Sequence, residues 1–491
     1  MKLFARLQHS KDAWFLLIVS FVFFLLRLPS LFEPYWYGDE GIYQVLGAGM
    51  RAGRLLYRDI WDNKPPLLYI IYALFGSDQF TIRFVSLLFG LTCVGVFFLL
   101  AKKLFKEKTI IYIATGVFAC LFGLPLLEGN IANAENFMML PILVAGLLTV
   151  GFAQKQKEKT LFYIGLLLSL AFLFKVVAIF DFTAFSLFLF FVFHPKHNKI
   201  STTIYMLLPL ITAFFLPIAL TGLFFFFAGA FGDFFDAAFR QNVGYVGYGN
   251  TFIVAQGFLY LKLFLLGMLT LYLFCKRHVF SSSQLFIILW FGFSLFNAFF
   301  SQRPYTHYLL VLLPSFVLFG GMAFSREEEN AERKIIRAGK VVLLIVLLLL
   351  IKNFWLYTKT TGYYQNFIDF ISTKKSVFAY QKFFDSKTPW DYALASYLTL
   401  HMAKNETIFL WGNNAQIYTL THTLPPGRYT VAYHIRSSDK TLNETFTALQ
   451  KTKPKFIVIM AEEQTVPYSF PGYIQKFTID KAIIYERISA K

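Results

Sequence analysis

Apolar residues fall along this chain in long runs, separated by short polar stretches. The runs lie near 13–31, 80–101, 109–126, 134–153, 160–174, 177–193, 202–230, 254–275, 282–300, 306–324 and 341–357. A stretch of roughly 17–25 apolar residues is long enough to cross a bilayer as a helix, so the pattern predicts about eleven transmembrane helices. The run at 67–76 is too short to span. Coming straight after Pro65-Pro66, it predicts a helix that lies in the interface or re-enters briefly. The first run contains Arg27, ends at Pro29 and has no small-residue cleavage site after it, so it reads as a retained helix rather than a signal peptide. Between it and Pro65 the chain is polar and broken, which predicts a long loop over 32–66.

The pattern changes after 357. Charges of both signs mix there, and apolar runs shorten to strand length. Glu406 to Trp411 and Lys455 to Met460 read as buried strands, Ser437 to Lys451 as a helix between them, and Ala482 to Ile488 as a late strand. Strand, helix, strand predicts a small α/β domain. The expected organisation is an all-α membrane domain over 1–357 and a separate α/β domain over 358–491.

Composition supports a membrane protein. Of 491 residues 57% are hydrophobic and 20% aromatic, with 62 Phe, far more than a soluble core needs. The net charge is +18, but basic residues sit in short loops between apolar runs, as topology signals rather than a nucleic-acid footprint. About 19 Lys and Arg lie in one set of loops, including Lys102, Lys103, Lys106, Lys108 and the 326–340 segment, against about 8 in the other set. The positive-inside rule then puts the N-terminus in the cytoplasm, and the 32–66 loop and the 358–491 domain on the outer side of the membrane. Cys93, Cys120 and Cys275 lie in or at the end of apolar runs, with neither metal-ligand spacing nor a disulfide framework.

The candidate chemistry collects in the predicted outer segments. Asp39 and Glu40 are adjacent carboxylates just past the first helix, where a structural role rarely needs them. One can act as general base for a hydroxyl, and the other can position the acceptor or tune proton affinity. Glu135, in Asn133-Ala134-Glu135-Asn136, fits equally a helix N-terminus and a polar site. Lys175 lies between apolar residues at an outer turn, where snorkelling alone can hold it and its natural partner is an anionic lipid headgroup, the reading favoured here. Arg303 and His307 stand four apart at the start of the run at 306–324; with Tyr305 and Tyr308 they fit an interfacial anchor, and with Lys64 and Arg58 a phosphate pocket. Loop 231–253 interleaves Gly244, Gly247 and Gly249 with Tyr245 and Tyr248, which fits a mobile cover and a plain long loop alike. Carboxylates and cations together suit displacement of a phosphate leaving group.

Several of these segments resemble the membrane glycosyltransferases of the GT-C fold, in the bacterial branch related to protein O-mannosyltransferases and aminoarabinose transferases. The matching residues are Gly38-Asp39-Glu40, Tyr57-Arg58-Asp59-Ile60-Trp61-Asp62-Asn63-Lys64-Pro65-Pro66, Asn133-Ala134-Glu135-Asn136, Phe172-Leu173-Phe174-Lys175 and Arg303-Pro304-Tyr305-Thr306-His307-Tyr308. The resemblance implies a sugar donor carried on a polyprenyl phosphate, used on the extracytoplasmic face with inversion, and a glycan, lipid or protein acceptor. It implies that Asp39 is the catalytic aspartate, Glu135 a second acidic position, and Lys64 and Lys175 cations facing the lipid phosphate. Some relatives have Glu before Lys-Pro-Pro, with an associated metal site. This chain has Asn63 there, so no metal ligand is assigned, and a divalent ion is compatible with the reading without being required by it. A transporter or flippase of lipid-linked sugars is the reading from another class, and an oligosaccharide polymerase or ligase shares the donor chemistry. A transporter would set charges at the bilayer midplane and often shows inverted repeats, neither of which the chain displays.

Overall fold

The fold was taken from a computed structural model of the chain. It describes residues 10–76, 78–155, 159–197, 200–242, 258–300, 305–325, 330–354, 356–463 and 465–488. Each apolar run becomes a helix, because a backbone in hydrocarbon must satisfy its own polar groups. Among the described residues seven helical segments are long and apolar enough to cross a membrane: Lys11–Phe32, Gln79–Leu104, Ala134–Lys155, Val176–Phe193, Ile200–Phe227, Phe258–Cys275 and Ser282–Phe300. Lys108–Gly123, Lys159–Phe174 and Tyr308–Phe324 are equally apolar but shorter. Asn330–Asn353 follows, opening on charged residues and ending in the apolar run predicted at 341–357. The chain is thus an integral, multi-pass membrane protein. Every predicted run has its helix; among the described residues seven have the length and composition to span, and the expected count of roughly eleven is not reached by that measure.

The chain packs as two compact units. The first comprises residues 1–28, 86–225 and 240–360; the second comprises 29–85, 226–239 and 361–491. In the first, Ala134–Lys155 pairs with Lys159–Phe174, and Ser282–Phe300 with both Ile179–His197 and Tyr308–Phe324. Large aromatic surfaces fill these contacts: Phe185 packs on Phe286 and Trp290, and Phe291 stacks on Phe319. Helices Ile200–Phe227 and Phe258–Cys275 leave Phe224, Phe227, Tyr260 and Phe264 exposed, which suits lipid rather than water.

The second unit is discontinuous in sequence. Its tail carries a four-stranded sheet of order β1-β2-β4-β3, with β1 at Ile408–Trp411, β2 at Phe456–Ile459, β3 at Tyr473–Ile479 and β4 at Ala482–Arg487. β1 and β2 are parallel, with helix Asp439–Thr452 between them in the chain, and the β2–β4 and β4–β3 pairs are antiparallel. β1 and β2 are buried on both faces, which explains their unbroken apolar runs. Trp61 packs against the core of Phe409, Trp411, Tyr429 and Ile457. Packing therefore groups segment 32–66 with the tail, together with residues 67–85 and 226–239.

Segment 32–66 is not one long loop. Residues Gly38–Arg51 form a 14-residue helix with Asp39 and Glu40 in its first turn, where the helix dipole favours negative charge. Ile42, Tyr43, Val45 and Leu46 are buried on it. The short run at 67–76 is the helix Pro66–Leu74, which packs against Gly38–Arg51 and uses Pro66 in its first turn.

Candidate functional site

Asp39 and Glu40 are neighbours in sequence with opposite surroundings. The Asp39 side chain is 39% exposed. The Tyr43 hydroxyl, one helical turn on, donates to its Oδ2 at 2.9 Å. Lys64 Nζ lies 3.5 Å from the same oxygen and 4.8 Å from the Tyr43 ring centroid. Asp39 is a half-open carboxylate with one hydroxyl donor and one cation beside it.

Glu40 is sealed. Both of its oxygens meet Arg83, at 3.0 Å from Nε and 2.5 Å from Nη2, and neither side chain is more than 2% exposed. Arg83 also reaches Glu33 at 2.7 Å and the Ser30 carbonyl at 2.9 Å. Glu33 in turn accepts from the Tyr363 hydroxyl at 2.6 Å and the Trp36 indole at 2.7 Å. This network ties the start of the Gly38–Arg51 helix to the segments before and after it. Gly41 sits where a Cβ would come 2.7 Å from the Gln416 backbone nitrogen, so only glycine lets helices Gly38–Arg51 and Gln416–Leu420 meet there.

Lys64 is gripped through its main chain. The Tyr57 hydroxyl donates to its carbonyl at 2.7 Å, and its N–H donates to the Tyr69 hydroxyl at 3.1 Å. Burial raises both phenols well above the usual tyrosine range, so they stay neutral. Tyr69 donates to Asp62 Oδ2 at 2.7 Å, Lys64 Nζ lies 3.9 Å from that oxygen, and His434 Nε2 lies 3.7 Å from Oδ1. Burial pushes the His434 imidazole down to about 4, against the opposing pull of Asp62, so it is neutral at pH 7. Trp61 packs edge-on to it at 4.8 Å.

Arg58 stands apart from this group. Exposed by 49%, it makes a fork to Asp59 at 2.8 and 3.0 Å, and this pair holds the Asp59 carboxyl below the usual range. It lines a cleft of about 400 Å³ with Arg54, Arg428, Tyr429 and Glu444, whose walls include neither Asp39 nor Lys64.

In the first unit, Glu135 and Lys175 meet. Glu135 is buried in the first turn of Ala134–Lys155, and Lys175 bonds to it from the extended link between Lys159–Phe174 and Val176–Ala178. Lys175 Nζ also lies 4.4 Å from the Tyr308 ring centroid. His307 Nε2 is 3.9 Å from the same Glu135 oxygen, and its Nδ1 is 3.1 Å from Glu128. The link between apolar helices thus delivers its cation to a buried carboxylate. Arg303 and most of the Gly/Tyr loop, 243–253, lie outside the described residues.

His434, Arg83 and Glu128 escaped the sequence reading. Arg83 and His434 act on partners 43 and hundreds of residues away, which no local pattern signals. Asp62 lies within the matched Trp61-Asp62-Asn63-Lys64 string and was visible there. Among the described residues no group of three or more His, Cys, Asp or Glu side chains is placed to hold a metal ion.

Residues 64–221 match the family model described as dolichyl-phosphate-mannose-protein mannosyltransferase. The solved structure of ArnT from Cupriavidus metallidurans, bound to undecaprenyl phosphate, superposes with a TM-score of 0.54 at 13% identity, covering 97% of this chain and 98% of that one. The archaeal oligosaccharyltransferase AglB from Archaeoglobus fulgidus, in complex with an inhibitory peptide and a dolichol-phosphate, is similar at 11% identity and a TM-score of 0.49, over 93% of this chain and 70% of that one. No curated protein sequence matches the chain. The chain has the GT-C fold of membrane glycosyltransferases.

Proposed function

We propose that the protein is an inverting glycosyltransferase that moves a sugar from a polyprenyl-phosphate donor to a hydroxyl acceptor on the extracytoplasmic face. The observation that carries this reading is Asp39, a half-open carboxylate with Lys64 Nζ at 3.5 Å and the Tyr43 hydroxyl at 2.9 Å. Its charge is shared rather than quenched, and it stays reachable by a substrate hydroxyl. The likeness to ArnT, whose structure holds undecaprenyl phosphate, supports the donor class.

In this mechanism Asp39 takes the proton of the acceptor hydroxyl, and the freed oxygen pair forms the bond to the anomeric carbon. The bond from that carbon to the phosphate oxygen breaks on the opposite side, and the phosphate leaves with its electron pair. Lys64 and Lys175 are the proposed cations for the phosphate, because charge develops there as the bond breaks. Each is held by a carboxylate in the structure, Lys64 near Asp39 and Asp62, and Lys175 at Glu135. Glu40 is proposed to hold the helix that presents Asp39, since Arg83 occupies both its oxygens.

Asp39→Asn tests the reading. The amide keeps size and accepts from Tyr43, but it has no basicity. Turnover of polyprenyl-phosphate sugar is expected to fall by roughly 10²- to 10⁴-fold with donor binding retained. A variant that keeps near-normal turnover overturns the assignment, and Glu135 becomes the next carboxylate to test.

A further inference from the structure

Glu128 sits at a position the backbone has to be bent to provide. Its φ of 58° is left-handed, and the following Gly129 lies where a Cβ would come 2.0 Å from the Phe122 carbonyl. The bend aims the Glu128 carboxylate at helix start 306–308. It accepts from the Thr306 hydroxyl, and its Oε2 is 3.1 Å from His307 Nδ1. A carboxylate on Nδ1 places a proton there and leaves Nε2 facing Glu135 at 3.9 Å. Glu135 is 2% exposed and bonded to Lys175.

We propose that Glu128 is a positioning residue that readies His307 to replace Lys175 as the cation beside Glu135 when Lys175 turns to the donor phosphate. The inference rests on the phosphate role given to Lys175 above. A buried carboxylate stripped of its cation is costly, and Lys175 cannot fully serve Glu135 and a phosphate together. The need grows in the reaction, because the donor phosphodiester carries one negative charge and the released polyprenyl monophosphate approaches two. The balance is one proton: solvent supplies it, His307 Nε2 receives it, and the imidazolium then lies between Glu128 and Glu135. The charged and titratable groups described around His307 are Glu128 on the preceding bend, Glu135 on helix Ala134–Lys155, Lys175 through Glu135, and the phenols of Tyr305 and Tyr308. Binding of the lipid phosphate should therefore be coupled to proton uptake, and it should tighten as pH falls.

The test is isothermal titration calorimetry of the full-length protein in detergent with undecaprenyl phosphate, run between pH 6.5 and 8 in buffers of different ionisation enthalpy. The wild type is expected to take up more protons than His307→Gln, by up to about one per site. The difference cancels any proton the phosphate itself gains or loses. Glu128→Gln keeps an acceptor for Nδ1–H but removes the charge, and it should show an intermediate uptake and a flatter pH dependence of Kd. Equal uptake by wild type and His307→Gln overturns the inference, even if Glu128→Gln fails to fold. Lys175→Ala separates the two levels. If it binds the lipid phosphate as tightly as wild type, the phosphate role of Lys175 fails and the exchange with it. If it binds weakly while His307→Gln leaves proton uptake unchanged, the exchange alone fails.

Discussion

Glu40→Gln separates a strut from a reactive group. The glutamine carbonyl can still accept from Arg83 Nε, but its amide meets Arg83 Nη2 where an oxygen now sits at 2.5 Å. One charge-assisted bond is lost and two donors are set face to face. Both side chains are buried, so water does not make up the difference. Removing one member of a buried ion pair costs about 3–5 kcal/mol, and because Arg83 keeps Glu33 at 2.7 Å the lower end, about 3 kcal/mol, is expected. Arg83→Met should cost more, since it leaves Glu33 and Glu40 buried together without a cation. The double variant should cost less than the sum, because the groups share one network. Melting of the detergent-purified protein measures this, with turnover normalised to the folded fraction. The expected result is a clear drop in melting temperature and, in the folded fraction, turnover within a few-fold of wild type. A Glu40→Gln protein that melts like wild type yet does not turn over would refute the strut and make Glu40 a reactive carboxylate.

Asp391 gives a pH signature. Burial raises its carboxyl to about 7 despite bonds from Asn414 at 2.7 Å and Gln416 at 3.2 Å. Between its unfolded value of 3.8 and about 7 the native state holds the extra proton, so stability should fall as pH rises through that window, by at most roughly 1.4 kcal/mol per unit. Asp391→Asn should flatten the melting profile between pH 4.5 and 7.5, and an unchanged slope would reject the cause. For topology, reporter fusions after Lys340 and after Lys359 should give opposite signals, and matching signals would remove the proposed placement of the tail outside.

The helices of this protein are legible because hydrocarbon imposes one rule on every stretch, and Leu and Phe runs state it openly. β1 and β2 are legible for a related reason, as runs of four buried apolar residues. β3 is not: Gln475 and Lys476 face outward on an exposed strand, and its register with β4 shifts between Gln475 and Phe477. Helix Gly38–Arg51 hides because Gly38, Gly41, Gly47 and Gly49 argue against a helix, and at Gly41 tertiary packing overrides that propensity. Asp39, Lys64 and Lys175 stand out by residue type in an apolar setting. The sealing of Glu40 does not, since it depends on an arginine that reads as one more loop charge.

The second unit is assembled from stretches that begin at residues 29, 226 and 361. A ribosome delivers them in that order, so helix Gly38–Arg51 waits for most of synthesis without Tyr363 to close on Glu33, His434 to back Asp62, or Gln416 to cover Gly41. The carboxylate at Asp39 cannot be set in its final surroundings until the last quarter or so of the chain has left the ribosome. Biogenesis therefore carries its own delay: a copy synthesised only to residue 360 already holds every apolar helix but not the finished setting of its proposed base.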